Sequence, residues 1–529
     1  MVASQPVGQT KCQSTNATCF PSEEAFASFS ASLSSPLIYP DVYPNPFSEW
    51  SKITSLHNAR LDIDEHRPFA AVSAKSESDV VLTVNFARNN NLLLSVKSTG
   101  HCYSGNCMSA GSLHLDLSSL NVLRYDDSLP TSSITLGPGS NFAALYSLAA
   151  KNGVQSVGGM CGTVGPVGFS LGGGHGPLVR SYGLGADNLL SLRLVLASGE
   201  AVTVKASDED AENDSDDADL WWALRGGGGG TFGVVTAVTL KAHAAPSSLS
   251  SLVCDWPIWL GGGASSPGVD ALGSWLGGIM QGLPNEWSFY TIVMKQPLPN
   301  MHVPHYDHLS MQGLVSLEGL YNGDLSSSPG ALSAVSRLVA LNEEGGGLGC
   351  TFGNHSSLES WHDSRWYGKV PGKTRSAMTT VFGTPGFDGG KLAVVLTDAV
   401  REGGPLASIF GIQTGGAVRE GGGAVSSDFR NSEILLEADA NWYLKGQDSK
   451  NMGWVSEVGT DIYDLEQMRG AYVNEPDPNL VGWEDKFWSG NFDKLQEIKR
   501  KYDPMNVSPT TNNTTHLTPL LSSPRTPKC

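Results

Sequence analysis

Two glycine-rich stretches constrain the fold of this chain more than any other feature of its sequence. They read GGMCGTVGPVGFSLGGGHG at 158–176 and GGGGGTFG at 226–233. Glycine lets the backbone adopt positive φ and approach a ligand closely, and successive amides in such turns form nests for anions such as a pyrophosphate. Neither stretch is the fingerprint that opens the helix of a dinucleotide-binding βαβ unit, and neither contains a Walker lysine. By themselves, the glycines fit an ordinary loop equally well.

The segments around these glycines alternate between strands and helices. Ser76 and Asp79 predict the capped start of a helix through VVLTVNFARNNN, and LLLSVKSTGH is typical of a strand that ends in a glycine turn. A hairpin is predicted around Gly199 and a further strand within 232–242. This alternation predicts an α/β region over about 66–245.

The remainder of the 529 residues divides by composition into further parts. A chain of this length is expected to hold two or three domains, since about 150 residues per domain is common. The predicted divisions are a polar N-terminal arm at 1–65, the α/β region at 66–245, a second domain at 246–450, a charged and aromatic C-terminal segment at 451–508 and a Thr/Pro/Asn-rich tail at 509–529.

Charge and hydropathy exclude two classes of partner. The net charge is −18, which is the wrong sign for binding a phosphate backbone, so we expect no nucleic-acid partner. No run of eighteen apolar residues occurs, so we expect no membrane span. Residues 208–219 include eight acidic residues and predict a solvated loop, because the glycine and spaced ligands of a calcium loop are missing.

Cysteines and glycosylation sequons favour an oxidising compartment. The chain has eight cysteines, and six N-x-[S/T] sequons begin at Asn16, Asn213, Asn354, Asn506, Asn512 and Asn513. Cys12 and Cys19 flank the first sequon and suit a small disulfide loop, although reduced cysteines are the alternative. The first residues contain no apolar signal core, so either a signal peptide has been removed or the protein is cytosolic. We favour secretion.

A third stretch, VKSTGHCYSGN at 96–106, presents a histidine just after the end of a predicted strand. A lone histidine more often packs or faces solvent. Zinc binding through His101, Cys102, Cys107 and His114 would need a spacing that matches no standard zinc pattern, so no metal is expected.

Taken together, these stretches resemble one family. VKSTGHCYSG, GMCGTVGPVGFSLGGGHG, SYGLGADNLLSLRLVLASGE and DLWWALRGGGGGTFGVVTAVTLKAH stand in the order seen in berberine-bridge-enzyme-like FAD-linked oxidases of the vanillyl-alcohol-oxidase superfamily. The segment 472–504 resembles the closing segment of that family, and CQSTNATCFPSEEAF resembles the N-terminus of its fungal secreted branch. The resemblance implies an α+β fold. In this fold, the FAD-binding domain has two parts, 66–245 and 451–508. It joins an α/β substrate domain that has a mainly antiparallel sheet.

The resemblance also implies FAD held by two covalent bonds. The family histidine bonded to the flavin 8α-methyl corresponds to His101, and the cysteine bonded to flavin C6 corresponds to Cys161. Imidazole and thiolate are the nucleophiles that such linkages need. A small buried residue without a bond to flavin is the alternative for Cys161.

Further cofactor-binding positions follow from the same resemblance. The stretch 226–233 would line the cofactor, and Val164 would lie near the oxygen-reactive face, where a small β-branched residue is typical of oxidases and a leucine of dehydrogenases. The full set of further residues assigned to FAD is Lys97, Ser98, Thr99, Gly100, Gly162, Val164, Gly165, Gly168, Gly172, Gly173, Gly233, Val234 and Asn491.

The catalytic base is where the sequence departs from the family. Some members carry Glu before the Trp of one strand, where EADANW has Asn441, and carbohydrate oxidases use a Tyr where this chain has Glu475. We predict Glu475 as the base, with Asp439 and Asp477 as second candidates, because a buried carboxylate can have its pKa raised into the working range. A surface ion pair with a lysine is the alternative role for Glu475.

Two more residues are assigned to the active site by the resemblance. Tyr103 lies where relatives place an active-site tyrosine, and His175 lies where some relatives have a pocket tyrosine. An imidazole at this position is a usable base, or it packs beneath the flavin and only closes the glycine turn.

The function expected from these residues is a secreted, monomeric flavin oxidase. Hydride would pass from a carbohydrate or another alcohol to FAD, and O2 would be reduced to H2O2. The alternatives are an oxidative cyclase or an amine or alcohol oxidase of a secondary metabolite, a dehydrogenase with another acceptor, and a surface glycoprotein that binds without turnover.

Overall fold

The computed structural model describes the chain in eight ranges. They are 21–41, 45–61, 66–128, 131–205, 216–259, 266–296, 311–364 and 373–507. The predicted Cys12–Cys19 loop, most of the acidic loop and the C-terminal tail lie outside the described residues.

Fifteen α-helices occur in the described ranges. In chain order they are α1 Glu23–Ser32, α2 Glu49–Thr54, α3 Glu77–Asn89, α4 Phe142–Lys151, α5 Pro166–Leu171, α6 Val179–Tyr182, α7 Asp216–Leu224, α8 Pro267–Ser274, α9 Pro329–Glu344, α10 Leu358–Ser364, α11 Gly389–Glu402, α12 Ser427–Arg430, α13 Asp448–Tyr463, α14 Trp483–Trp488 and α15 Phe492–Tyr502. None of them is long and apolar enough to serve as a membrane-crossing helix.

The same ranges contain eighteen strands. They are β1 Ala70–Ser73, β2 Leu94–Lys97, β3 Leu113–Asp116, β4 Leu123–Asp126, β5 Ser133–Leu136, β6 Val154–Gln155, β7 Leu189–Val195, β8 Ala201–Lys205, β9 Val234–Lys241, β10 His243–Ala244, β11 Leu249–Trp259, β12 Trp287–Met294, β13 Met311–Tyr321, β14 Gly349–His355, β15 Arg375–Gly383, β16 Leu406–Gln413, β17 Ile434–Trp442 and β18 Met468–Arg469.

Three sheets organise most of these strands. A parallel sheet has the order β1-β3-β2, a five-stranded sheet has the order β4-β5-β9-β7-β8, and an eight-stranded sheet has the order β14-β11-β13-β12-β16-β17-β15-β18. Every pair in the two larger sheets is antiparallel, and β6 pairs with β10 separately. The predicted α+β fold with a mainly antiparallel sheet is therefore confirmed. Within 66–245, however, only the three-stranded sheet has the parallel strands of an α/β arrangement.

Local sequence signals account for several elements of the 66–245 region. The Ser76 side chain accepts from the Asp79 amide and the Asp79 side chain accepts in return, so the predicted capping box begins α3. The predicted hairpin joins β7 to β8, with Gly199 at a φ of 84° in its turn. The strand predicted within 232–242 is β9.

The eight-stranded sheet has two different faces because side chains alternate along each strand. One face packs against α8, α9, α11 and α13 in a core that includes Trp275, Leu392 and Trp454. The other face points toward the 66–245 region and contributes Tyr290 and Leu435 to a second core. A cavity between this second face and the glycine-rich turns is the candidate site.

Buried polar contacts tie the sheet to the 66–245 region. Arg180, 4% exposed, donates to the main-chain carbonyls of Trp287 and Thr414 at 2.7 and 2.5 Å and to that of Leu283 at 3.0 Å. Burial lowers the Arg180 pKa to about 10, which leaves the guanidinium charged at neutral pH. One cation therefore links three carbonyls that lie far from it in the sequence.

The C-terminal segment contacts both regions. Helix α13 crosses the predicted division at 450 and packs on β15 and β17 of the eight-stranded sheet. Farther along, Trp488 Nε1 donates to the Gly226 carbonyl, and buried Lys499 donates to the Thr231 carbonyl at 2.6 Å. The domain boundaries stay predictions, but a division at 450 would cut one helix.

Candidate functional site

A cavity of about 480 Å³ lies where the eight-stranded sheet faces the glycine-rich turns. Its walls come from segments that are far apart in the chain: the end of β2, the turns at 159–168 and 227–231, strand β17 and the segment 472–476. A concave site of this size, with apolar walls and a few convergent polar groups, is typical of small-molecule and cofactor binding.

His101 lies at this wall, in the turn that follows β2. Its ring stacks on His57 with centroids 4.2 Å apart, and a disulfide joins the next residue, Cys102, to Cys107. Burial, with a smaller effect of His57, lowers the His101 pKa to about 3, so the imidazole is neutral. The stacked ring and the disulfide hold the predicted attachment residue in place.

The second predicted attachment residue reaches the same point of the wall. The Thr163 hydroxyl lies 2.9 Å from His101 Nε2 and 3.3 Å from Cys161 Sγ. Cys161 is a free, half-buried cysteine, whereas His101 Nδ1 is buried with no hydrogen-bond partner among the described residues. Two nucleophilic side chains from distant parts of the sequence therefore flank one hydroxyl.

The glycine-rich turns form a wall with almost no side chains, which we call the glycine cradle: Gly168 and Gly227–Gly230. A Cβ added at Gly168 or at Gly230 would meet no atom within 4 Å, so both positions border open space. Gly228 and Gly230 have φ values of 94° and 75°, which favour glycine. Next to them, buried Thr231 Oγ1 has no partner among the described residues. Open backbone and an orphaned hydroxyl fit a bound pyrophosphate-containing cofactor.

Strand β17 supplies acidic side chains to the opposite wall. Glu437, Asp439 and Asn441 alternate along one face and line the cavity, while Leu436 and Ala438 point into the helix-side core. Asn441 Nδ2 donates to Asp439 Oδ2 at 2.6 Å. The two-residue period of a strand thus brings three polar groups to one surface.

Burial has a large effect on the ionisation of this wall. Burial raises the Asp439 pKa to about 7. The hydrogen bond from Asn441 opposes this increase, and the charge of Glu475 adds a smaller increase. The pKa of Glu437 is raised well above its usual range by burial, then by Glu475 and Asp439. The carboxyl groups of this wall therefore hold protons near neutral pH that a solvated acid would have lost.

Glu475 and His175 form a polar pair at the same wall. His175 Nε2 lies 2.9 Å from Glu475 Oε1, and the two side chains are only 13% and 14% exposed. The His175 ring packs edge-on against Tyr472, whose hydroxyl accepts from the Gly174 amide. The partner of Glu475 is therefore a histidine of the second glycine turn, and not the surface lysine of the alternative interpretation.

Two tyrosines complete the polar lining. Burial raises the pKa of Tyr103 well above its usual range, with Cys161 and the carboxylates of Glu437, Asp439 and Glu475 adding to the effect. Tyr290, on β12, is affected in the same direction and mainly by burial. Both phenols therefore remain protonated at physiological pH.

Most of the residues predicted from the sequence meet at this cavity. Those that line it are Ser98, Thr99, Gly100, His101, Tyr103, Cys161, Val164, Gly165, Gly168, His175, Gly233, Val234, Asp439, Asn441 and Glu475. Their roles in binding and catalysis stay predictions, but their convergence from five separate segments is a feature of the fold.

Five predicted cofactor residues do not line the cavity. Lys97 is buried 2.6 Å from Asp116, and Asn491 donates at 3.4 Å to the carbonyls of Ala424 and Val425. The other three are the glycines Gly162, Gly172 and Gly173, whose added Cβ atoms would contact His362, Asn474 and Phe429 respectively. Close packing of neighbouring side chains explains Gly162 and Gly172, and a φ of 120° explains Gly173.

Several lining residues escaped the sequence analysis. Glu437, Tyr290, His57 and Asn474 all border the cavity. For Glu437 a signal existed, because Glu437, Asp439 and Asn441 alternate with apolar residues in EADANW. Asn474 directly precedes Glu475 in the closing segment, whereas Tyr290 and His57 lie in segments with no motif and reach the cavity only through tertiary packing. Among the residues that the structure describes, no group of three metal-binding side chains is suitably placed to hold a metal ion.

Comparisons with known proteins agree with this geometry. Residues 68–205 match the family model of an FAD binding domain, and residues 471–509 match the model described as berberine and berberine like. The FAD-linked oxidoreductase ffsJ of Aspergillus flavipes is 29% identical over 474 residues, covering 83% of this chain and 74% of that protein.

Solved structures share the architecture. The VAO-type flavoprotein MtVAO713 from Myceliophthora thermophila C1 superposes with a TM-score of 0.76 at 22% identity, covering 95% of this chain and 96% of its own. A chitooligosaccharide oxidase superposes with a TM-score of 0.74 at 20% identity, covering 91% and 97%. The cavity found here lies between the matched FAD-binding region and the sheet. The chain therefore has the vanillyl-alcohol-oxidase type of fold, and it resembles the berberine-bridge-enzyme-like FAD-linked oxidoreductases in both its FAD-binding region and its C-terminal segment.

Proposed function

We propose that this chain is an oxidase of carbohydrates or other alcohols, with FAD bonded to both His101 and Cys161. The observation that carries the proposal is the meeting of His101 Nε2 and Cys161 Sγ at one hydroxyl, that of Thr163, on the cavity wall. The glycine cradle would hold the pyrophosphate, and β17 with Glu475 would face the substrate. Bound FAD supplies a hydride acceptor that passes its two electrons to O2, yielding H2O2.

The surroundings of His101 support a bond through Nδ1. A neutral imidazole that donates from Nε2 to Thr163 keeps its lone pair on Nδ1, which is buried and has no partner among the described residues. Stacking on His57 fixes the plane of the ring. Thr163 and His57 would thus orient the nucleophile before the bond forms.

Glu475 is proposed as the general base. The proton of the substrate hydroxyl would pass to Glu475 as the hydride leaves the adjacent carbon, so the alcohol becomes a carbonyl compound. Glu475 Oε2 is buried with no partner among the described residues, while Oε1 contacts His175. One carboxylate oxygen is therefore available to a substrate and the other is held in place by the imidazole.

The attachment is tested by precipitating the purified protein with acid and mapping its flavin peptides by mass. Wild-type protein should keep its yellow colour in the pellet, with flavin on both peptides. Cys161→Ala and His101→Ala should each keep flavin through the other residue, and the double variant should release it. His355→Ala, which changes a histidine bonded to Ser251 at the far edge of the sheet, is the matched control. Flavin in the wild-type supernatant would contradict the covalent assignment.

The reaction is tested by a peroxide-coupled screen of carbohydrates and simple alcohols with the flavin-loaded protein. The chitooligosaccharide oxidase that shares the fold makes oligosaccharides the first substrates to assay. Substrate-dependent peroxide would support the proposal. Flavin reduction without peroxide would instead favour a dehydrogenase, and the absence of any reduction would favour the non-catalytic alternative.

A second candidate function is the oxidation or oxidative cyclisation of an amine. The observation that favours it is the acidic composition of the lining, since Glu437, Asp439 and Glu475 line the cavity and the described lining residues include no lysine or arginine. Acidic groups beside aromatic rings suit a protonated nitrogen. Faster flavin reduction by amines than by matched alcohols would support amine oxidation over alcohol oxidation.

We also propose that the protein is secreted. Two disulfides, Cys102–Cys107 and Cys254–Cys350, form among the described residues, and such bonds persist in oxidising compartments. A secretion assay with reporter-tagged full-length chain, scored for disulfide content by thiol labelling, tests this.

A further inference from the structure

One edge of the eight-stranded sheet carries an exposed sequon. Strand β14 is the outermost in the order and is paired with β11 on its inner side. Near its end lies Asn354, followed by His355 and Ser356, and the Asn354 side chain is exposed. A sequon is only a potential glycosylation site, so its surroundings decide what a sugar would meet.

The Asn354 amide is oriented by one hydrogen bond. Ser250 lies directly opposite on β11, and its hydroxyl donates to Asn354 Oδ1 at 3.0 Å. This bond uses only the amide oxygen, and Nδ2 has no hydrogen-bond partner among the described residues. Since a glycan is attached to the amide nitrogen, the bond to Ser250 would survive attachment and would hold the first sugar in one direction.

Apolar side chains share a surface depression with Asn354. Phe352 lies two residues before Asn354, on the same face of the strand, and is 49% exposed. Leu332 of α9 is 47% exposed, and the three residues line a shallow depression of about 250 Å³. A half-exposed phenylalanine presents a ring face on which the C–H face of a sugar packs well.

We propose that Asn354 carries an N-linked glycan whose first N-acetylglucosamine packs on Phe352 and Leu332 and covers the edge of β14. In this modification the amide nitrogen bonds to the anomeric carbon. The bond from that carbon to a lipid-linked diphosphate breaks, and the nitrogen loses a proton. The glycan would shield an apolar patch and a strand edge that pairs with no further strand among the described residues; both features promote association when left open. The proposal is independent of the oxidase reaction and requires passage through the secretory pathway.

The other sequon that the structure partly describes is less suitable. Asn506 lies beside Val507, which is buried and accepts a hydrogen bond from the Leu94 amide. The Val507 amide donates in turn to Asp503 Oδ1 at 2.8 Å. That segment is therefore packed onto β2, whereas Asn354 lies on an open edge.

The site is tested by secreting the full-length chain from a yeast host and mapping its peptides. Enzymatic deglycosylation in heavy-oxygen water converts a glycosylated Asn354 into labelled aspartate. Ser356→Ala should remove this label while leaving Asn354 and its bond to Ser250 intact. Thr351→Ala removes an exposed hydroxyl from the same strand outside the sequon and is the control. Unlabelled Asn354 in a protein that is glycosylated elsewhere would overturn the proposal.

The packing is tested by a double-mutant cycle of Phe352→Ser and Ser356→Ala. In the glycosylated protein, Phe352→Ser should lower Tm by on the order of 1–2 °C more than it does in the Ser356→Ala background. When the glycan is removed enzymatically from the folded proteins, the Tm shift caused by Phe352→Ser should fall to the value found in the Ser356→Ala background. Equal shifts in the two backgrounds would overturn the packing contact. Flavin content and peroxide production report separately on the oxidase proposal and should not change.

Discussion

The two walls of the central cavity are built in opposite ways. The cofactor wall is made of backbone: the glycine cradle and the turn at 98–101 present amides and open space. The substrate wall is made of side chains, with Glu437 and Asp439 of β17 beside Glu475. One wall therefore suits a cofactor that many relatives share, and the other can vary with the substrate.

This difference also decides which wall depends on the register in which its strand pairs with the neighbouring strands. Shifting β17 by one residue would replace Glu437 and Asp439 at the cavity by Leu436 and Ala438. The cofactor wall has no such dependence, because each of its turns follows from glycines that are adjacent in the sequence. Experiments on single residues of each wall can show how far the two are independent.

The largest effect is expected at the substrate wall, from Glu475→Gln. Loss of the proposed base should slow flavin reduction by roughly 10²–10⁴ while leaving bound flavin unchanged. Anaerobic stopped-flow reduction measures this rate. An unchanged rate would transfer the role to Asp439 or His175, and lost flavin would mean that the two walls are not independent.

The next effect concerns oxygen at the cofactor wall. Val164 lines the cavity, so Val164→Leu adds bulk there at an energetic cost of about 1–3 kcal/mol if the wall cannot relax. We expect reoxidation by O2 to slow by about ten- to a hundredfold, with the rate of substrate reduction retained. Mixing reduced protein with oxygenated buffer measures it, and Val167→Leu, a second cavity-lining valine, is the matched control.

Two glycines of one stretch should behave differently. At Gly172 an added Cβ would lie 2.0 Å from Asn474 Oδ1, and Asn474 donates to the Phe169 carbonyl and the Tyr472 hydroxyl. Gly172→Ala should therefore lower the free energy of unfolding by about 1–3 kcal/mol.

Gly168→Ala is the matched partner, because its added Cβ would enter the cavity and meet no atom within 4 Å. It should change stability by less than about 0.5 kcal/mol but lower the flavin content. Thermal unfolding and the absorbance ratio of flavin to protein separate the two outcomes. Similar effects of both variants on flavin would contradict the division between packing and lining glycines.

The smallest effect is a dependence of stability on pH. Since burial raises the Asp439 pKa to about 7 from an unfolded value of about 3.9, the folded state binds more protons between these pH values. The contribution of Asp439 to stability is present at low pH and is lost as pH rises through about 7. The free energy of unfolding should change by at most about 1.4 kcal/mol per pH unit. Asp439→Asn should flatten this part of the profile, measured as Tm from about pH 5 to 8. An unchanged profile would assign the protons to other groups.

Most residues that the sequence assigns to FAD line the cavity, and this has a physical reason. His101 and Cys161 stand within motifs whose residues are neighbours in the chain, so their surroundings can be read locally. Gly172 and Lys97 do not line the cavity, because a motif does not say which of its members face inward. Glu437 and Tyr290 were missed because strand pairing, which joins β17 to β16 and β16 to β12, brings them to one surface.

The guanidinium of Arg180 has a consequence for engineering. Its acceptors are main-chain carbonyls near β12 and β16, so their positions depend on backbone path and not on the identity of the side chains. A chimaera that grafts the substrate sheet of a relative onto this cofactor region would have to reproduce those carbonyl positions. Otherwise a buried cation would lose its hydrogen-bond partners, and the chimaera would be destabilised.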